Sequence, residues 1–103
     1  MAIQNEVLDT SPAAVYTSNG NSAVTAIYLC NVSPNTVTFN MFAVPSGDLA
    51  DPTLNMIYSA VPITPGDTYV IDTEKLILEG GDSLVAQASD VDSIIATVSY
   101  LRI

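Results

Sequence analysis

The chain has 103 residues, 49% of them hydrophobic, which is enough for one domain with a substantial core, residues 1–103, and too little for two. Eleven acidic residues against two basic ones, Lys75 and Arg102, give a net charge of −9. This charge repels phosphate backbones and anionic lipids, which argues against direct nucleic-acid or membrane binding. The segment MAIQNEVLDT lacks the features of a signal peptide, and no apolar run approaches the ~20 residues that span a bilayer.

Charged residues make up only 13% of the chain, about half the usual share. The surface must therefore consist largely of Ser, Thr, Asn, Gln and small apolar groups. This composition favours a protein that works packed against neighbours, and it suits an ordinary secreted-type β-domain equally well.

Short alternating runs between turn residues predict strands throughout, with no helical periodicity and at most a helical turn between Ser46 and Leu54. The predicted strands, in chain order, are 3–9, 13–17, 23–31, 36–44, 55–61, 68–73, 75–78, 83–89 and 93–103. The sixth and seventh are interpreted as one bent strand, which leaves about eight. We expect an all-β antiparallel sandwich, either a jelly roll or an immunoglobulin-like fold, because alternation leaves the strand order open.

For some strands the sequence also predicts a position in the sheet or a connection to the next strand. The run 3–9 is expected at a sheet edge, and Pro12 interrupts the strand pattern behind it. This run is a candidate arm that pairs with the sheet of a neighbouring molecule. We therefore expect a chain without residues 1–10 to fold but not to assemble. The Asn19-Gly20 step predicts a hairpin between the second and third strands. The strand 23–31 carries bulky groups on both faces, so it is expected at the centre of a sheet.

Alternation also assigns side chains to faces. In 23–31 it places Val24, Ala26, Tyr28 and Cys30 on one face and Ala23, Thr25, Ile27 and Leu29 on the other. In 55–61 it places Ile57 with Val61, and Met56 with Tyr58.

The chain contains no histidine, which removes Ser-His-Asp, Cys-His and imidazole–metal sites together. Cys30, the single cysteine, lies in an apolar strand and is expected to be a buried small hydrophobe. Gly80-Gly81 lacks the spacing and the Lys of a phosphate-binding loop. Asn31-Val32-Ser33 matches a glycosylation sequon, to which we give no weight without a secretory signal.

The carboxylates are the remaining candidates for chemistry. A glycosidase would need two of them across a cleft, and the chain has no Trp to stack a sugar. Calcium could take oxygens from Asp90 and Asp92, or from Asp48 and Asp51, although neither stretch matches an EF-hand loop. Gly-Asp recurs at three turns, Gly47-Asp48, Gly66-Asp67 and Gly81-Asp82. We therefore expect structural corners, and no catalytic, cofactor-binding or metal-binding residue.

Several segments have a sequence pattern that is found in one class of proteins. They are Thr17-Ser18-Asn19-Gly20 leading into 23–31, Val44-Pro45-Ser46-Gly47, Gly66-Asp67-Thr68, Leu76-Ile77-Leu78 with Gly81-Asp82-Ser83, and Ala96-Thr97-Val98-Ser99-Tyr100. Over nearly the whole chain the sequence resembles small β-rich virion structural proteins of tailed bacteriophages, especially cyanophages. Members of this class commonly have an acidic residue at the position of Arg102. This difference would alter any contact that the last strand makes through that residue.

The resemblance implies a non-enzymatic, cofactor-free component of the virion, assembled in the host cytoplasm. Its implied partners are copies of itself and other virion proteins, with the major capsid protein as a candidate. A capsid decoration or cement protein is the favoured role, because the chain has no coiled-coil heptads and no shaft repeat. A neck, tail, baseplate or fibre component is the alternative, including a receptor- or glycan-binding module.

A glycan-binding module would need exposed aromatic residues near loops. The five tyrosines, Tyr16, Tyr28, Tyr58, Tyr69 and Tyr100, mostly lie within predicted strands, where packing is the commoner role. The lack of histidines and of catalytic motifs argues against an enzyme. A pocket that holds two carboxylates with raised pKa values would be needed to support catalysis.

Overall fold

A computed structural model describes residues 2–72 and 76–103 of the chain. Nine strands are assigned among these residues, and no helix. They are β1 (Ala2–Val7), β2 (Ala13–Thr17), β3 (Ser22–Asn31), β4 (Val37–Val44), β5 (Met56–Ile63), β6 (Thr68–Ile71), β7 (Leu76–Leu78), β8 (Ser83–Ala88) and β9 (Ile94–Arg102). The described part of the chain therefore contains no helix that could span a membrane.

Two antiparallel sheets pack face to face, which confirms the predicted sandwich. The first has the order β1-β9-β3-β6, with β7 also paired to β3, and the second has the order β2-β8-β4-β5. Core side chains from both sheets are fully buried between them, among them Leu29, Phe39, Leu84 and Val98. Burial of such aliphatic and aromatic groups is the main term that stabilises the fold.

The strand order distinguishes between the two predicted sandwiches. Strands pair first with last and inward from there: β1 with β9, β2 with β8, β3 with β6 and β7, and β4 with β5. This is the pattern of one long hairpin rolled up into two sheets, which is a jelly roll. An immunoglobulin-like sandwich would pair several consecutive strands instead.

The sixth and seventh predicted strands act as one interrupted strand, as expected. β6 pairs with β3 from Ile27 to Cys30, and β7 pairs with the same strand from Ser22 to Val24. Residues 73–75, where the two predicted strands meet, lie outside the described residues. The central position of β3 is confirmed, since β9 pairs along its other side.

The predicted hairpin at Asn19-Gly20 is wrong. Gly20 has the expected positive φ of 73°, but β2 and β3 lie in different sheets. The connection is held by non-local bonds: the Ser18 N–H donates to the Asp82 carbonyl, and the Gly81 N–H donates to the Ser18 carbonyl. A buried hydroxyl chain from Tyr16 through Ser22 to Ser18 closes the corner. These contacts outweigh the local turn preference.

Register shifts in two strands correct the predicted faces. In β3 the register with β9 shifts between Val24 and Ala26, so Val24 joins Ile27 and Leu29 in the core. In β5 one shift falls near Ala60, which has a φ of 49°, so Val61 packs on the core while Ile57 is exposed. A second shift separates Met56 from Tyr58, so the prediction that these two share a face is wrong: only Tyr58 packs against the main core. An extra residue reverses the alternation beyond it.

The first strand lies at a sheet edge, as predicted, but it is not a free arm. β1 pairs with β9 of its own chain over its whole length, from Ala2 opposite Tyr100 to Val7 opposite Ile95. Leu8, which follows it, is buried in the core. Removal of residues 1–10 would therefore expose the core, contrary to the expectation that the truncated chain folds normally.

Candidate interaction surface

The Gly-Asp turns are structural corners, as predicted, at Asp82 and Asp67. The Asp82 carboxylate accepts hydrogen bonds from the N–H groups of Ser46 and Glu79, at 2.9 and 3.0 Å. The Asp67 carboxylate accepts the N–H of Thr68 at 2.9 Å. At the third turn, the N–H of Asp48 donates to the Pro45 carbonyl, which closes the turn through the backbone. The carboxylates of Asp67 and Asp82 thus bind backbone donors of their own corners, and that of Asp82 also binds a backbone donor of the neighbouring corner at Ser46.

The two acidic stretches considered for calcium form separate turns. Asp90 accepts the N–H of Val91, and Asp92 adopts a left-handed conformation with a φ of 52°. Among residues 2–72 and 76–103, no three Asp, Glu or Cys side chains come together as a metal site. The structure does not unite either stretch into a ligand set.

Asp51 organises the loop that follows β4. Its carboxylate accepts the backbone N–H of Thr53 at 2.9 Å and the Thr53 hydroxyl at 2.7 Å. These two bonds, the backbone one foremost, hold the pKa of Asp51 below its ordinary value of 3.8 because they stabilise the ionised form. A local Asx-type turn accounts for this shift without any ligand.

Cys30 and Asn31 reverse the burial that the sequence suggests. Cys30 is only partly buried, because it lies on the outward side of β3, contrary to the prediction of a core residue. Asn31 is fully buried, and its amide donates to the carbonyls of Asn35 and Ile63, at 2.7 and 2.8 Å. The side-chain oxygen of Asn31, Oδ1, accepts the N–H and the hydroxyl of Ser33. This asparagine joins two loops and presents no free amide for glycosylation.

The tyrosines divide between packing and surface. Tyr16 is buried and its ring lies 4.3 Å from that of Tyr100, while Tyr58 and Tyr69 pack around Phe39. Tyr28 is exposed on the middle strand of the first sheet. The exposed rings of the described residues thus lie on strands, rather than in the loops where a sugar site is expected.

A cavity of about 290 Å³ lies between the edges formed by β5 and by β6 and β7. It is lined by Ile27, Ile57, Tyr58, Ile71 and Leu76. None of these described lining residues is a carboxylate. Two of the lining residues flank positions 73–75, which lie outside the described residues, and we assign the cavity no function.

The outward side of the first sheet is a different kind of surface. Paired residues of antiparallel strands point to the same side of a sheet. Ala96 and Leu29 are paired and buried in the core, so the pairs on either side of them point outward. The hydrogen bond from the Thr97 hydroxyl to the Asn5 side chain, at 2.9 Å, lies on this outer side and connects β9 with β1.

We call this surface the uncharged face. Its members are Ile3, Asn5, Val7, Ala23, Ala26, Tyr28, Cys30, Thr68, Val70, Ile77, Ile95, Thr97, Ser99 and Leu101. None of them carries a charge, although the chain has a net charge of −9. Ile3, Ile77 and Val7 expose 66%, 63% and 51% of their surface, so large apolar groups meet solvent across the sheet.

The outer side of the second sheet differs from that of the first, because a loop covers its apolar residues. Phe42, Val44 and Val85 point away from the main core, but they are buried beneath the segment between β4 and β5. Ala50 and Met56 pack against them and form a second, smaller core. The chain thus covers the apolar outer side of one sheet with its own loop, whereas none of residues 2–72 and 76–103 covers the outer side of the other.

Acidic residues border one end of the uncharged face without entering it. Asp9, Asp67, Asp90 and Asp92 lie in turns beyond the strand ends. Glu6 belongs to β1, but it pairs with the buried Ala96 and so lies on the other side of the sheet. A surface that is depleted of charge and bordered by charged residues resembles the usual anatomy of a protein–protein interface.

No protein-family model, curated protein or solved structure matches this chain. The uncharged face was not anticipated from the sequence. Its signal is the run of uncharged alternate positions in β9, Ile95, Thr97, Ser99 and Leu101, but it gains meaning only when β1, β3 and β6 are placed beside it.

Proposed function

We propose that this chain is a non-enzymatic structural protein of a bacteriophage virion, most simply a capsid decoration or cement protein. It acts through self-association and through contacts with the coat. The observation that carries the proposal is the uncharged face, an exposed apolar sheet surface on a strongly acidic protein. Four strands ~4.8 Å apart make this a patch of several hundred Å², a size that soluble monomers seldom leave uncovered.

The resemblance to tailed-phage virion proteins and the fold support the same proposal. Jelly rolls are common among viral capsid domains, and they also occur in lectins and cupins, so the fold alone does not decide. A neck, tail, baseplate or fibre position would use the same surface. The uncharged face favours a broad, flat protein partner over a sugar, because its one exposed ring at the centre, Tyr28, is surrounded by strand residues.

The coat is a suitable partner on electrostatic grounds. A flat surface without charges can be buried without leaving an unpaired ion behind, which would cost several kcal/mol. The acidic turns at its periphery remain in water and oppose unspecific association between particles.

The test places one charge at the centre of the uncharged face. Tyr28→Asp introduces a carboxylate between Thr97 and Val70, and Leu54→Asp introduces the same charge in the exposed loop before β5 as a matched control. We expect wild type and Leu54→Asp to incorporate into phage particles at regular positions, seen by immunogold labelling and mass spectrometry of purified virions. Incorporation of Tyr28→Asp should fall by about tenfold or more, because the carboxylate would be buried unpaired.

Circular dichroism must first show that both variants are folded. Labelling on the head would identify a decoration protein, and labelling on the tail would move the proposal to the alternative position. Absence of the wild-type chain from purified virions would overturn the proposal, as would equal incorporation of the two variants. Selective binding to a glycan array would instead favour a receptor-binding module.

A further inference from the structure

The sandwich has four edges, and three of them carry features that block the addition of another strand. β2 has a register shift between Ala14 and Tyr16, and it follows Pro12. β5 has two register shifts and contains Pro62. β6 and β7 are only four and three residues long. Bulges, prolines and short strands are the usual protection of sheet edges.

β1 is the edge without such protection. It runs for six residues in unbroken register with β9, and it contains no proline and one charged residue, Glu6. All of its residues except Glu6 are exposed. A regular, exposed and largely uncharged edge is a template for strand pairing.

The backbone groups that face the open edge can be identified. The Leu8 N–H donates to the Ile94 carbonyl at 2.9 Å, which continues the register in which Val7 lies opposite Ile95. In an antiparallel pair, alternate residues direct both backbone groups to the same neighbour. Gln4 and Glu6 therefore bond to β9 as Leu8 does. Ile3, Asn5 and Val7 direct their N–H and C=O groups outward.

We propose that a second copy of this chain pairs here, β1 against β1, antiparallel about a two-fold axis at Asn5. This proposal rests on the proposed function, in that it specifies how the chain associates with itself. Ile3 then lies opposite the partner's Val7, and Asn5 lies opposite the partner's Asn5. The outward backbone groups of both copies form about six hydrogen bonds across the axis.

Side-chain pairing favours one register for a second copy. With the axis at Asn5, Glu6 lies opposite the partner's Gln4, so no two carboxylates face each other. Moving the axis to Glu6 would oppose two carboxylates, and moving it to Gln4 would place Ile3 opposite a polar Asn5; like charges and mismatched pairs weaken strand pairing. A second copy thus fits this edge with matched apolar pairs and without repulsion.

Pairing at this edge also has a consequence for the uncharged face. Ile3 and Val7 belong to that face, and in the dimer they meet across the axis. The two uncharged faces then join into one surface of twice the width. An isologous dimer would present this doubled surface to a larger partner.

Disulfide trapping tests the register directly. In a Cys30→Ser background, Asn5→Cys places two thiols opposite each other, about 5.5 Å apart between Cα atoms, which a disulfide can bridge. Gln4→Cys is the matched control, equally exposed and on the same strand. Its two copies are offset along the strands by roughly 7 Å, beyond easy bridging. We expect mild oxidation to yield covalent dimer for Asn5→Cys and not for Gln4→Cys.

A proline variant tests the edge without cysteines. Asn5→Pro removes an N–H that faces the open edge and retains the bonds to β9, so the fold should persist by circular dichroism. Two hydrogen bonds across the axis are lost, and light scattering should show dimerisation weakened by roughly tenfold or more. The proposal is overturned if wild type is monomeric throughout, if Asn5→Pro dimerises as wild type does, or if Gln4→Cys cross-links as readily as Asn5→Cys.

The outcomes separate this proposal from the proposed function. A wild-type chain that is monomeric yet incorporates into virions would overturn the edge pairing alone. A chain that dimerises through Asn5 but is absent from virions would overturn the proposed function and retain the pairing.

Discussion

The backbone N–H of Ser46 donates a 2.9 Å hydrogen bond to the carboxylate of Asp82. The bond joins the segment after β4 to the turn before β8. The second carboxylate oxygen of Asp82 accepts the N–H of Glu79, within the same turn. One side chain thus closes its own corner and attaches it to a neighbouring one.

Asp82→Ala should therefore destabilise the fold more than removal of an acid that serves a single local bond. We expect a loss of about 2 kcal/mol in the free energy of unfolding, because two charge-assisted hydrogen bonds disappear. Asp90→Ala, which removes one bond to the adjacent Val91, should cost less than about 0.5 kcal/mol. Urea denaturation measures both; equal losses would contradict the corner role of Asp82.

The same corner predicts an unequal response of two glycines. Gly81 has a φ of 91°, and a Cβ there would lie 2.9 Å from the Cβ of Ser46. Gly20 has a φ of 73° with no atom within 4 Å of such a Cβ. Gly20→Ala should cost about 1 kcal/mol from backbone strain alone. Gly81→Ala should cost at least about 1 kcal/mol more, since strain and overlap add. Similar melting temperatures would refute the close approach.

Asn31 should be the least replaceable polar residue of the described core. Asn31→Asp keeps the shape of the side chain but directs a carboxylate oxygen at the carbonyls of Asn35 and Ile63. We expect about 3 kcal/mol of destabilisation, because two buried acceptors lose their donor and a charge is buried. Asn21→Asp, which adds the same charge at an exposed turn, is the control. A comparable stability of the two variants in urea would show that the Asn31 amide is dispensable.

Asp51 should contribute a pH-dependent term to stability. Its folded-state pKa lies below 3.8, so the ionised form is favoured by folding. This contribution is fully present above the unfolded pKa and is lost as the pH falls through the lower folded value. Thr53→Ala removes the hydroxyl donor but keeps the backbone bond, so the pKa of Asp51 should rise part of the way toward 3.8. Carbon-13 NMR titration of the carboxyl group measures the shift; an unchanged pKa would exclude the hydroxyl as a cause.

Local pattern in the sequence was sufficient for the strands. The boundaries of β2 were predicted to the residue, and those of β3 and β4 within one residue, because each run alternates and ends at Gly, Pro, Asn or Ser. The turn at Gly66-Asp67 was likewise predicted from adjacent residues. In the structure the N–H of Asp67 donates to the Thr64 carbonyl and closes this turn. Such features depend on conformational preferences of a few adjacent residues.

The errors arose where distant contacts competed with local preference. The bulges at Thr25 and Ala60 inverted the predicted faces, and alternation contains no sign of an inserted residue. The corner at Ser18 joins two sheets because Asp82 and Gly81, more than sixty residues later, supply its backbone partners. Cys30 is partly exposed because no described segment covers the side of β3 that it occupies.

By itself the sequence determined an acidic, all-β chain without histidine, with its strands, its turns and its structural aspartates. Only the tertiary structure decided the jelly-roll order, the loop that covers the second sheet, and the uncharged outer face of the first. The physical reason is that these features depend on which distant strands become neighbours. That choice is made by contacts between distant parts of the whole chain, which bury most of its apolar core, so no short window of residues contains it.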